Sequence, residues 1–389
     1  MRQRIATRAR EIERSLSYVI SEAARRHKDA IFLTVGEPDF VTPKHILEAG
    51  KEALDQGFTH YTGDKGYRPL RELIAQTLKR EKGLDVDPDG GVIITDGGSE
   101  ANFAVIMATV DPGDEVLIPS PYYQPYYTQV RLAGGVPQYM RLREELDFMP
   151  DPEEVEGLVT DRTRLMLVNS PSNPTGSVYS RECLEALAKI AVRHDLVVLS
   201  DEVYERLVYD DARHYSIATF PGMAERTVIT NSFSKTYAMT GWRVGYAAGD
   251  ENIISQALKI HYPVAISAPS IAQRGAMAAL TGSQDCVTQM VEEYDRRRKI
   301  IVNGLNTIPG VRCRMPKGAF YAFPNIEEFG LSSLEFAKFL VSEARVATVP
   351  GSTYGEDGEG HLRVSYATSA EKLREAVERI RAAVEKLNQ

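Results

Sequence analysis

Through the middle of the chain, short β-branched runs alternate with stretches of helical pattern. The runs are Val92–Thr95, Glu115–Ile118, Arg164–Asn169, Leu196–Ser200, Thr227–Thr230 and Val244–Ala248. Near-continuous apolar runs of this length are the pattern of strands buried on both faces, and parallel neighbours need crossover connections. The alternation predicts an α/β fold, a mostly parallel sheet with helices on both faces. An apolar helix is expected over Ala101–Val110. Thr42-Pro43 reads as an N-cap and first helical residue, and Ser332…Glu335 and Thr368…Glu371 read as capping boxes.

After about residue 280 the pattern changes. A charged helix (Gln284–Asn306) precedes two short strand pairs around Arg312–Phe323 and Arg345–Ala367, and a closing helix starts near Thr368. This predicts a smaller α+β unit. Arg296-Arg297-Arg298-Lys299 follows Glu292 and Glu293, so a solvated helix face is expected there. The N-terminus carries Arg2, Arg4, Arg8, Arg10 and Arg14 but also Glu11 and Glu13, with no apolar stretch between them. It reads as an amphipathic arm or helix and not as a secretory signal or transit peptide.

Composition removes several function classes. The 389 residues hold 46 Lys+Arg and 54 Asp+Glu, a net charge of −8, so neither a nucleic acid nor an anionic membrane is an expected partner. No apolar run approaches the roughly 18 residues of a membrane span. Cys183, Cys286 and Cys313 are widely spaced, without a CxxC, and the seven histidines form no HExxH. A reduced, cytoplasmic, metal-free protein is the expectation. No GxGxxG or Walker A sequence occurs, which disfavours nicotinamide enzymes and P-loop NTPases.

In open α/β sheets ligands bind outside the carboxyl ends of the strands. The residues just past each run are Asp96-Gly97-Gly98-Ser99-Glu100, the Asn169–Gly176 segment, Asp201-Glu202-Val203-Tyr204 and Asn231-Ser232-Phe233-Ser234-Lys235. The Gly-rich turn leads into a helix whose free N–H groups can hold a phosphate. Asp201 ends an apolar run, where a carboxylate calls for a cationic partner. Hydroxyls at Ser232 and Ser234 with Arg243 make a phosphate clamp, and Lys235 beside it is a candidate amine nucleophile. A phosphate site, an amine and a deep carboxylate converge on pyridoxal 5'-phosphate, whose protonated ring nitrogen needs an anionic partner.

The segments 170–176 (SPSNPTG), 200–204 (SDEVY), 232–235 (SFSK) and 241–245 (GWRVG) resemble those of class I pyridoxal-phosphate aminotransferases. The resemblance runs in order from Gly36-Glu37-Pro38-Asp39-Phe40 to Arg363-Val364-Ser365-Tyr366 and is greatest to prokaryotic aspartate and aromatic aminotransferases. It implies a seven-stranded type of sheet in a large cofactor-binding domain (45–280), with a smaller domain from 281–389 and part of an N-terminal arm segment (1–44). It implies that Lys235 is the Schiff-base lysine and later the proton carrier. By the same resemblance Asp201 pairs with the ring nitrogen, and Tyr204 and Asn173 hold the ring oxygen. Ser232, Ser234, Arg243 and backbone N–H groups at Ser99 and Glu100 take the phosphate. Tyr123 stacks on the ring, Arg363 forks the substrate carboxylate, and Gly36 admits the substrate. Tyr61 matches a tyrosine that reaches the neighbour's phosphate, implying a homodimer with shared sites. Asn173-Pro174 is an expected cis peptide.

Two departures bear on the substrate. One aminotransferase subgroup reads a distal carboxylate with an arginine that has no counterpart in His261–Ser267, and another uses a lysine where Ser99 stands. Tyr122, Tyr123, Tyr126 and Tyr127 are instead candidate walls of a pocket for aromatic substrates. The implied reaction moves an amino group from an L-amino acid, aspartate or aromatic, to a 2-oxo acid such as 2-oxoglutarate. Alternatives are another donor such as alanine, or β-elimination from a cysteine derivative. A regulator carrying this fold would need a DNA-binding domain, and about thirty residues precede Gly36, too few for a winged helix–turn–helix.

Overall fold

Twelve strands form where β-branched and apolar residues concentrate. In the computed structural model, which describes residues 4–12 and 15–387, they are β1 (Ile31–Phe32), β2 (Val92–Thr95), β3 (Glu115–Ser120), β4 (Val136–Arg141), β5 (Thr163–Asn169), β6 (Val197–Asp201), β7 (Thr227–Ser232), β8 (Gly245–Gly249), β9 (Tyr321–Ala322), β10 (Val346–Ala347), β11 (Val349–Pro350) and β12 (Leu362–Ser365). Seven of them make the central sheet in the order β2-β8-β7-β6-β5-β3-β4. β7, β6, β5, β3 and β4 run parallel, and β8 is antiparallel to both of its neighbours. The residues of β2, β3 and β7 are buried throughout, as expected for strands covered on both faces. β4 escapes the sequence pattern because it is an edge strand, mostly exposed, with Pro137 inside it.

Helix ends differ from expectation in two places. The helix Lys44–Asp55 has Pro43 at its N-cap position, and Thr42 does not cap it. Its hydroxyl instead donates to the Ala238 carbonyl at 2.6 Å and accepts from the Trp242 indole at 3.1 Å. The helix Ala370–Leu387 takes its side-chain cap from Ser369, which accepts the Lys372 N–H at 3.4 Å, and not from Thr368. The Ser332–Glu335 capping box is present.

The remaining strands do not form two self-contained pairs. β9, β12 and β11 make a three-stranded antiparallel sheet, whereas β10 pairs in parallel with β1 from the N-terminal region. One core joins Ile20, Ala24 and Leu33 to Tyr294, Ile301, Leu305, Leu373 and Ile380. The Arg296–Lys299 run is not a solvated face throughout. Arg297 and Arg298 are buried, Arg298 completely, with Asp210, Asp295 and the Pro316 carbonyl as its partners. Arg4, Arg8 and Arg10 are exposed, whereas Arg2, Glu13 and Arg14 lie outside the described residues. Among the described residues no helix is long and apolar enough to cross a membrane.

Candidate active site

The parallel strands end on one side of the sheet, and β5, β6 and β7 deliver Asn169, Asp201 and Ser232 there. A cavity of about 580 Å³ opens at that edge. Its walls include Gly36, Ser99, Tyr123, Asn173, Asp201, Tyr204, Ser232, Ser234, Lys235, Arg243 and Arg363. Of the residues singled out in the sequence, Glu100 sits behind this wall and Tyr61 stands outside it, 79% exposed.

Asp201 is held in a fixed orientation. Its Oδ2 accepts from Asn102 Nδ2 at 2.8 Å and from the Tyr126 hydroxyl at 2.7 Å, and its Oδ1 accepts the Val203 N–H at 3.2 Å. Thr230 fixes Asn102 in turn, donating to its Oδ1 at 2.6 Å. Burial raises the Asp201 pKa, and the Tyr126 and Asn102 hydrogen bonds oppose that rise without cancelling it. Among the described residues the carboxylate forms no ion pair, although its charge is felt at Lys235.

Lys235 follows β7 in a short helix capped by Ser232. Its ammonium donates to the Gly36 carbonyl and lies 5.8 Å from the centre of the Phe320 ring. Burial first, then the like charges of Arg363 and Arg243, lower its pKa to about 8. A substantial neutral fraction at mildly alkaline pH makes it an available nucleophile.

Arg363 is buried on β12. Its Nη1 donates to Asn173 Oδ1 at 3.1 Å and its Nη2 to the Thr34 carbonyl at 2.6 Å, while its Nε has no partner. The guanidinium stacks on Tyr321, 4.5 Å from the ring centre. Tyr321 also meets the Tyr204 hydroxyl at 2.8 Å. A Cβ on Gly36 would stand 2.9 Å from the Tyr321 hydroxyl and 3.8 Å from Arg363 Nη1, so a side chain there would intrude on the space beside the guanidinium. Asn173-Pro174 is cis.

At the opposite end of the cavity, the helix Gly98–Thr109 presents its first-turn N–H groups. Gly97 precedes it at φ 84°, and a Cβ there would lie 2.7 Å from Arg243 Nη2. Arg243 donates to the Asp96 carbonyl at 2.9 Å and to the Thr240 carbonyl at 3.0 Å. Ser232 Oγ donates to Ser234 Oγ at 2.8 Å.

The four tyrosines do not line one pocket. Tyr122 stacks on Tyr127 and Tyr139, at 6.1 Å and 5.8 Å, beside an adjoining groove. Tyr126 lines the cavity but commits its hydroxyl to Asp201, which leaves Tyr123 of the four, joined by Tyr321 and Tyr354. Asn102, Tyr321 and Tyr354 were not foreseen. Asn102 had a readable signal, because a polar residue inside an otherwise apolar helix calls for a buried partner.

A family model described as aminotransferase class I and II matches residues 28–380. The chain belongs to this family. It is a transaminase. It is similar to an aspartate aminotransferase of Pyrococcus horikoshii, 42% identical over 98% of this chain and 97% of that protein. The solved aromatic aminotransferase of Pyrococcus horikoshii OT3 superposes with a TM-score of 0.90, at 46% identity over 94% of this chain and 99% of that one. The aspartate aminotransferase of Thermus thermophilus with maleate superposes with a TM-score of 0.93, at 40% identity over 98% and 100%.

Proposed function

We propose that this transaminase uses pyridoxal 5'-phosphate to move an amino group from aspartate or an aromatic L-amino acid to a 2-oxo acid such as 2-oxoglutarate. The carrying observation is the convergence of Lys235, Asp201, Arg243 and Arg363 on one cavity. The residues fit the cofactor. Asp201 is a buried carboxylate without an ion pair among the described residues, and the Gly97 turn with Arg243, Ser232 and Ser234 leaves room and donors for a phosphate. When bound, pyridoxal phosphate supplies a carbonyl that exchanges amines and a cationic ring that stores the electron pair of a deprotonated Cα.

Within that site Asp201 would hold the ring nitrogen protonated, its carboxylate kept aimed by Asn102 and Tyr126. Tyr204 and Asn173 would hold the ring oxygen, and Tyr123 would pack on the cofactor. Arg363 would fork the substrate carboxylate, its Nη1 and Nη2 held in place by Asn173 and Thr34. Lys235, its pKa lowered to about 8, would hold the cofactor through its carbonyl and, as an amine, would carry the proton of the substrate Cα. Ping-pong kinetics with a second oxo acid are expected.

The reading includes a homodimer in which Tyr61 reaches the partner's phosphate. It also includes the division into 1–44, 45–280 and 281–389 and a cytoplasmic location. Exposed Tyr61, Tyr262, Val264 and Ile266 support the first. Three unpaired thiols suit a reducing compartment. On the donor, the cavity's cations among the described residues are Lys235, Arg243 and Arg363, each with a task, and its further walls include Val35, Tyr123, Tyr321 and Tyr354 together with the acid Glu37. That lining favours aromatic over acidic side chains unless the partner subunit adds a cation. Half-reactions of the holoenzyme with single amino donors test this. Tyrosine and phenylalanine are expected to convert the cofactor spectrum faster than aspartate, and a preference for aspartate would refute the side-chain assignment.

A further inference from the structure

The first turn of the helix Gly98–Thr109 carries an acid, Glu100. That position already uses the positive end of the helix dipole, which a bound dianion also needs. The Glu100 side chain is 10% exposed, and its Oε2 accepts the Asp96 N–H at 3.2 Å, tying the Gly-rich turn closed. The same carboxylate faces His261, whose Nδ1 lies 3.2 Å and 3.1 Å from its two oxygens. His261 is fully buried on the helix Glu251–Ala265, one turn beyond Ala257 and on the stripe that packs against the Gly98 helix. The groups that face this imidazole are Glu100 and Asp96 from the turn and first helical residues, the backbone of Asp64, and, through Asp96, Arg243, while its Nε2 is buried without a hydrogen bond.

We propose that His261, as an imidazolium, neutralises Glu100 and is thereby a positioning residue for the cofactor phosphate. The inference rests on the phosphate reading above. Glu100 orders the turn, yet its charge opposes an anion at the same helix start. A cation on its far side keeps the tether and removes the repulsion. Burial alone would lower the His261 pKa, but the pairing with Glu100 outweighs it and the net direction is up. Burial and Glu100 raise the Asp96 pKa, and it is Glu100 whose two oxygens lie within hydrogen-bond distance of His261 Nδ1. Raising the pH strips the proton from His261 and exposes Glu100 to the phosphate.

The test compares dissociation constants of pyridoxal phosphate and of pyridoxal, which has no phosphate, for the apoenzyme across pH. The His261→Asn variant is expected to bind pyridoxal phosphate about tenfold more weakly while pyridoxal is unchanged. Adding Glu100→Gln, whose side-chain carbonyl still accepts the Asp96 N–H, is expected to restore binding to within about threefold. Wild type should lose phosphate-dependent affinity as pH rises through the His261 titration, and His261→Asn should not. Equal losses for both ligands, or no rescue by Glu100→Gln, would show a packing role and overturn the proposal. If wild type itself failed to prefer the phosphorylated ligand, the phosphate reading would fall first.

Discussion

Lys235 shows how a single residue acquires its chemistry from position. On a surface its amine would titrate near 10.5; burial and two arginines bring it to about 8. In the apoenzyme, modification of Lys235 by an amine reagent, followed by peptide mass spectrometry, should therefore show a midpoint near pH 8. Arg363→Gln removes one like charge and should move that midpoint up. The sign carries over to stability. The folded chain releases this proton at lower pH than the unfolded one, so the penalty of the buried cation is full below about 8 and lifts towards 10.5. Relative to Lys235→Met, the apoenzyme should gain stability across that window. Gly36→Ala places a methyl group against Tyr321 and Arg363. It should raise the KM for amino acids about tenfold with the cofactor retained. Lys235, Asp201 and Arg243 were legible because each stands in a dense local pattern, whereas Arg363 was singled out only through the family resemblance; all four line one cavity. Tyr321 and Tyr354 were not legible, because they reach the cavity from the C-terminal sheet and loop, which no local pattern connects to it.

At the scale of elements, the turn after β6 is held by a buried charge cluster. Lys82, at the end of the helix Arg68–Lys82, pairs with both Glu202 and Glu205, the acids that bracket Val203 and Tyr204. His214 Nε2 adds a contact to Glu202 at 3.1 Å. Burial pushes Glu202 up, but Lys82 and His214 together hold it below the usual carboxylate range. Lys82→Met should cost about 3–5 kcal/mol in denaturant unfolding, because it leaves Glu202 buried without its main cation. The depressed Glu202 pKa also means this stabilisation is present above about 4.5 and lost on further acidification. Parallel strands of the sheet interior were readable from their apolar runs. β4 was not, since an edge strand with a proline has neither the run nor the alternation. Arg297 and Arg298 look solvated in sequence, but Asp39 and Asp210 pair with them from 258 and 88 residues away.

For the whole molecule, the chain forms a cavity that holds Lys235, Arg243 and Arg363, while exposed Tyr61, Tyr262, Val264 and Ile266 lie outside its lining. Sedimentation of the holoenzyme should give twice the 43.2 kDa chain mass. Tyr262→Asp should shift the protein towards monomer and weaken cofactor retention together. A monomeric wild type with full activity would remove Tyr61 from the site. Everything proposed for the site turns on Lys235 as the residue that would bind the cofactor and move the proton. Borohydride reduction of the holoenzyme, followed by peptide mass spectrometry, tests that role. The cofactor's added mass is expected on the peptide bearing Lys235 and absent in Lys235→Ala, which should also lose transamination. Label on another lysine, or a Lys235→Ala enzyme that still turns over, would contradict it.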